Sequence, residues 1–167
     1  MISRPSLLTL TAAITATCAL PFQTTTAAEE AKQHPSTSSQ VRLASWWFDR
    51  HAEKIAEIEK ANNPKDERNI ELLMVGDSIT NNFDKKGPGE PVWKKHFAPL
   101  NALNLGFGGD RTNHVLWRLE HLPALKTAPL ATSLMIGTNN ICWGSDKPKQ
   151  AADGVQAITR KLNAMYP

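Results

Sequence analysis

Three short apolar runs, each closed by a glycine turn, constrain this chain most. Residues 70–75, 102–105 and 130–136 are strand-like. They break at Gly76, at Gly106 and at Gly137. Each run is flanked by stretches of helical character. The stretch 43–61 places Leu43, Trp47, Ile55 and Ile58 near helical spacing, with Glu53, Lys54, Glu57, Glu59 and Lys60 on the other face. Residues 92–97 read as one or two helical turns. Residues 112–121 turn Val115, Leu116 and Leu119 inward, and 148–165 carry Val155, Ile158 and Leu162 on one face. Strands alternating with helices predict an α/β fold with a parallel sheet and helices on both faces. Ligands of such sheets bind beyond the carboxyl ends of the strands, so the three turns are where chemistry is expected.

The length of 167 residues allows one domain and excludes a full (β/α)₈ barrel. A net charge of +3 comes from 19 basic and 16 acidic residues scattered along the chain, with no cluster to suit a nucleic acid. The first stretch reads as a secretory signal peptide over 1–28. Arg4 is its positive start, 7–22 its uncharged apolar run, and Thr26-Ala27-Ala28 its small-residue cleavage site. The run is too short and too diluted by Thr and Pro21 for a membrane anchor, so cleavage and a secreted or periplasmic protein are expected. A polar, flexible lead-in is expected over 29–41, and the folded domain over 42–167. Loss of Cys18 leaves Cys142 as a packed or loop thiol, with no disulfide framework.

The first turn is Gly76-Asp77-Ser78-Ile79. A serine directly after a buried strand and before a helix start suits a nucleophile whose own N–H binds the developing oxyanion. Taken alone, Asp77 or Ser78 serves equally well as a plain N-cap. The second turn, Gly106-Phe107-Gly108-Gly109-Asp110, lets backbone N–H groups approach a ligand. Its spacing is not the dinucleotide fingerprint, and alone it is a glycine turn capped by Asp110. The third, Gly137-Thr138-Asn139-Asn140, offers a side-chain amide, and alone it is an ordinary turn.

Together the three blocks resemble the GDSL/SGNH hydrolase family. The stretch with Asn104-Leu105-Gly106-Phe107-Gly108-Gly109-Asp110 and His114-Val115-Leu116-Trp117-Arg118-Leu119 is similar to the catalytic subunits of platelet-activating-factor acetylhydrolases. The resemblance implies a three-layer, flavodoxin-like sandwich, C-terminally incomplete in this sequence. It implies Ser78 as nucleophile, with the N–H groups of Ser78 and Gly109 and the side chain of Asn139 as the oxyanion hole. Asp77 and Asp110 are implied as supports of their turns. The implied substrates are small acyl O-esters of lipids or carbohydrates, with no cofactor and no metal. The family's late Asp-x-x-His block has no counterpart: none of His34, His51, His96, His114 and His121 follows an aspartate by three. The expectation is therefore the N-terminal part of a serine esterase, inactive as written, with a non-catalytic acyl- or sugar-binding remnant or a non-functional fragment as alternatives.

Overall fold

The computed structural model describes residues 34–66, 68–144 and 146–167. The expected signal peptide and residues 29–33 of the lead-in lie outside the described residues. Element order is α1 (Ser45–Asn62), β1 (Leu72–Gly76), α2 (Ser78–Asn81), α3 (Glu90–Val92), β2 (Leu103–Gly106), α4 (Thr112–Glu120), β3 (Ala131–Met135), α5 (Thr138–Cys142) and α6 (Pro148–Met165). The strands form one parallel sheet in the order β2-β1-β3. The α/β class read from the alternation is the class observed.

Register explains where the core lies. Leu73 pairs with Leu103 and Val75 with Leu105, so these four side chains share one face of the sheet. Ile58 of α1, Val115, Leu116 and Leu119 of α4, and Ile158 and Leu162 of α6 pack on that face. Each such residue taken out of water contributes roughly 1.5–3 kcal/mol before chain entropy is counted. On the opposite face, Gly76 and Gly106 are register partners. A Cβ at Gly106 would overlap the backbone of Thr80 and Asn81, so glycine there lets α2 lie directly on the strand ends. Asn104 fixes that contact: its Nδ2 donates to Thr80 O at 2.8 Å, and its Oδ1 accepts from Gly106 N–H at 2.8 Å.

Several expectations about individual residues are corrected. In α1 the buried stripe is Trp47, His51, Lys54, Ile58 and Ala61. Leu43 precedes the helix and is 86% exposed, because the helix begins only at Ser45. Lys54, placed on the polar face by its charge, is buried at the end of an ion-pair chain to Glu57 (2.6 Å) and Asp84 (3.6 Å). Trp47 is fully buried, whereas Trp46 is 45% exposed with the Arg42 guanidinium 5.0 Å over its ring. The lead-in is not loose from His34 onward. Ser36 O accepts from the buried Thr112 hydroxyl at 2.7 Å, and Gln40 exchanges backbone and side-chain hydrogen bonds with Asn113. β3, paired with β1 alone, is largely exposed, with Leu134 half-buried against the core. Cys142 is an exposed free thiol at the end of α5. Among the described residues no helix is long and apolar enough to cross a membrane.

Candidate active site

The strand order puts the first turn in the middle. Gly76 pairs with Gly106 on one side and with Met135 on the other, so the turns after β2 and β3 flank the one after β1. The chain runs from β1 to β2 and then crosses back to β3, which makes this end of the sheet a topological switch point.

At the first turn, Asp77 is the N-cap of α2: its Oδ1 accepts from Ile79 N–H at 2.9 Å. The cap is therefore made by Asp77 and not by Ser78, whose hydroxyl makes no hydrogen bond to a described residue and is half-buried at the surface. The Ser78 N–H also donates to no described residue.

At the second turn, Gly109 has φ +69°, a left-handed conformation that favours glycine. Its N–H donates to no described residue. Arg42 Nη1 donates to Gly108 O at 2.9 Å. In a planar trans peptide the carbonyl and the following N–H point to opposite sides, so this bond also fixes where the Gly109 N–H is aimed. Asp110 is wholly buried. Its Oδ1 accepts from Trp47 Nε1 at 2.8 Å and its Oδ2 from Arg118 Nε at 2.8 Å. Arg118 is equally buried, donates to Leu105 O at 3.2 Å and lies 3.9 Å over the Phe107 ring. Burial pushes the Asp110 carboxyl up and the Arg118 guanidinium down, and each opposes the other's shift by holding its partner charged.

The third turn is stitched to both others by Asn139. Its Nδ2 donates to Asp110 O at 2.9 Å and reaches Asp77 Oδ2 at 3.5 Å. Asn140 next to it holds the start of α4, accepting from Thr112 N–H at 3.0 Å and donating to Thr112 Oγ1 at 2.8 Å. Ser78, Gly109, Asn139, Asp77 and Asp110 thus gather at one sheet end, as the strand-end rule expects.

Sequence reasoning missed Arg42, Arg118 and Trp47 as members of this scaffold. Arg118 had a signal, a charge on the apolar face of α4, but Arg42 lies in a segment without periodicity. The five histidines hold other places. His34 Nδ1 pairs with Ser36 Oγ, and His96 is exposed. His51 packs with Trp47 and Trp117, and His121 stacks on Trp117 with centroids 3.9 Å apart. His114 Nδ1 accepts from Arg111 N–H at 3.1 Å, which caps α4. Burial, aided by Arg42, Arg111 and Arg118, lowers the His114 pKa to about 4. It is therefore neutral near pH 7, and its 3.9 Å approach to Asp110 is no ion pair.

A parallel α/β sheet whose strand-end turns converge around a serine is the architecture of a hydrolase scaffold. The chain matches the GDSL-like Lipase/Acylhydrolase family over residues 74–167, more than half its length, and it belongs to that family. It is 30% identical over 139 residues to the platelet-activating factor acetylhydrolase IB subunit alpha1 of Rattus norvegicus, covering 83% of this chain and 54% of that one. It is 35% identical over 97 residues to the alpha2 subunit of Homo sapiens, covering 58% of this chain and 39% of that one. The chain spans about half the length of the curated relatives it matches. A solved chain described as a candidate platelet activating factor from Streptococcus pneumonia superposes with a TM-score of 0.48 at 23% identity, over 73% of this chain and 52% of that one.

Proposed function

We propose that the three turns are the acyl-transfer site of a serine esterase acting on small acyl O-esters, such as acetyl esters of lipids or carbohydrates. The observation that carries this reading is the Ser78 hydroxyl at the end of the central strand, without a partner among the described residues, with the unpaired N–H groups of Ser78 and Gly109 and the Asn139 amide on the turns around it. In this reading Ser78 Oγ attacks the ester carbonyl. The oxyanion is held by the N–H groups of Ser78 and Gly109 and by Asn139 Nδ2, whose long contact to Asp77 is the one to yield. The alcohol leaves, and water then hydrolyses the acyl-serine. Asp77 and Asp110 hold the turns. The family and its acetylhydrolase members support the ester-hydrolase class. The N-terminal charge and apolar pattern supports export from the cytoplasm.

The general base is the weak part of the site. No described histidine hydrogen-bonds Ser78, and His114 has its Nδ1 committed to a cap and a pKa too low for a good base. The 167-residue polypeptide is therefore expected to bind an ester without turning it over efficiently. Loss of a triad base lowers kcat by roughly 10⁴ to 10⁶-fold. The test is hydrolysis of p-nitrophenyl acetate by the purified chain. A rate near the buffer background is expected. Substantial turnover that Ser78→Ala abolishes would overturn this part and make one of the five histidines the base.

A further inference from the structure

A cavity of about 450 Å³ opens directly beside Gly109 and Asn139. Its wall includes Gln40, Arg42, Arg111, His114 and Trp143, and no carboxylate. Both arginines are already held in place. Arg42 Nη1 donates to Gly108 O at 2.9 Å, and Arg111 Nη2 donates to Trp143 O at 2.7 Å. Fixing a guanidinium on a carbonyl removes much of the entropy cost of ordering it and leaves its other N–H groups for a ligand. Neither arginine has an acidic partner among the described residues, in contrast to Arg50, Arg68 and Arg118. The acidic groups nearby form no ion pair with either arginine among the described residues, although Arg42 acts on Asp110 through space and Asp146 shares a second cavity wall with Arg111. Asp110 is held by Trp47 and Arg118, Asp77 caps α2, and Asp146 accepts from Asn140 Nδ2 at 2.9 Å. Two guanidinium groups on one cavity wall, each held on a backbone carbonyl and neither in an ion pair among the described residues, suit an anion.

The geometry points to an anion subsite formed by Arg42 and Arg111 against the oxyanion turn, taking a carboxylate or phosphate group carried by the ester substrate. The assignment deepens the esterase reading and rests on it only for the word substrate; the anion site itself stands on the two arginines. It narrows the substrate class from acyl esters in general to esters of acid-bearing molecules. A neutral ester leaves both guanidinium groups without a counter-charge. His114, on the same wall, reports the positive field there, since Arg42 and Arg111 add to burial in disfavouring its protonation.

The test is a titration of the full chain, labelled with ¹⁵N, with acetate and with inorganic phosphate, using acetamide as the neutral isostere of acetate. The expected result is a saturable shift of the Gly109 amide and the Asn139 side-chain amide with at least one anion and none with acetamide, weakening as salt is raised. Which anion wins separates a carboxylate-bearing from a phosphate-bearing substrate. Arg42→Gln and Arg111→Gln should each weaken binding by about tenfold or more, the loss of one charge-assisted hydrogen bond. The Lys variants, which keep the charge and lose the fork, should fall between. Binding should survive Ser78→Ala; if the anion binds while a fluorophosphonate leaves Ser78 of the wild-type chain unmodified, the esterase reading falls and the subsite stands. Equal shifts with acetamide, no shift with either anion in the wild-type chain, or undiminished binding in both Gln variants would overturn the subsite, whatever Ser78 does.

Discussion

Replacing Arg118 with methionine isolates the scaffold beneath the site. Arg118 and Asp110 are both at 0% exposure, joined at 2.8 Å, and among the described residues the only other side-chain donor to Asp110 is Trp47 Nε1. Methionine fills much of the volume but leaves the carboxylate buried without its cation and Leu105 O without its donor. Breaking a buried pair from one side costs about 3–5 kcal/mol, a large share of the roughly 5–15 kcal/mol that holds a domain folded. The loss has a pH signature. Without Arg118 the already raised Asp110 pKa rises further, so the folded variant binds a proton that the unfolded chain has released above pH 3.8. The unfolded chain cancels in the comparison with wild type, so the deficit grows with pH above the raised wild-type pKa of Asp110 and levels off above the still higher pKa of the variant. Adding Asp110→Asn to Arg118→Met removes the stranded charge and should return part of the loss. Urea unfolding followed by tryptophan fluorescence reads the wild type and both variants, and Trp47 sits in the cluster as the reporter. A deficit below about 1 kcal/mol for Arg118→Met, or a double variant less stable than the single one, would refute the reasoning.

Gly106→Ala would force a methyl into the backbone of Thr80 and Asn81, and a loss of about 1–3 kcal/mol is expected in a thermal or urea melt. The matching change at Gly108, where a Cβ meets nothing nearer than 3.9 Å, should cost much less. Acid should destabilise the chain through His51 and His114. Burial is the first cause in holding both near a pKa of about 4, against 6.5 when exposed. The unfolded chain then takes up protons that the folded chain declines, so stability falls as pH drops from about 6.5 towards 4. The loss is up to about 3 kcal/mol per histidine, and urea midpoints at neutral pH and near pH 4.5 measure it. A His51→Asn, His114→Gln double variant should flatten that dependence.

The sheet, its order of elements and the place of the three turns were legible because they depend on short-range patterns: apolar runs of strand length, glycine stops and helical spacing. The burial of Lys54 and the exposure of Leu43 were not. Both are decided by contacts distant in sequence, Asp84 for the lysine and the late start of α1 for the leucine. Arg118 differs: it carried a signal, a charge on the apolar face of α4, and its partner Asp110 lies in the turn that leads into that helix. The docking of the lead-in depends on Thr112 and Asn113, more than 70 residues away, which no local composition reveals. For the site, the turn blocks named Ser78, Gly109 and Asn139, whereas Arg42, which orients the Gly109 peptide, lies in a segment with no pattern to mark it.

The claim that Ser78 is the nucleophile of this site is tested most directly by an alkyl fluorophosphonate, whose phosphoryl oxygen occupies the oxyanion position, followed by mass mapping of the adduct. The account predicts one adduct per chain, on Ser78, formed slowly because no histidine shares the hydroxyl proton, and formed more slowly still in Asn139→Ala. A folded chain left unmodified at Ser78 on prolonged incubation, or labelled equally when Ser78 is replaced by alanine, would contradict it.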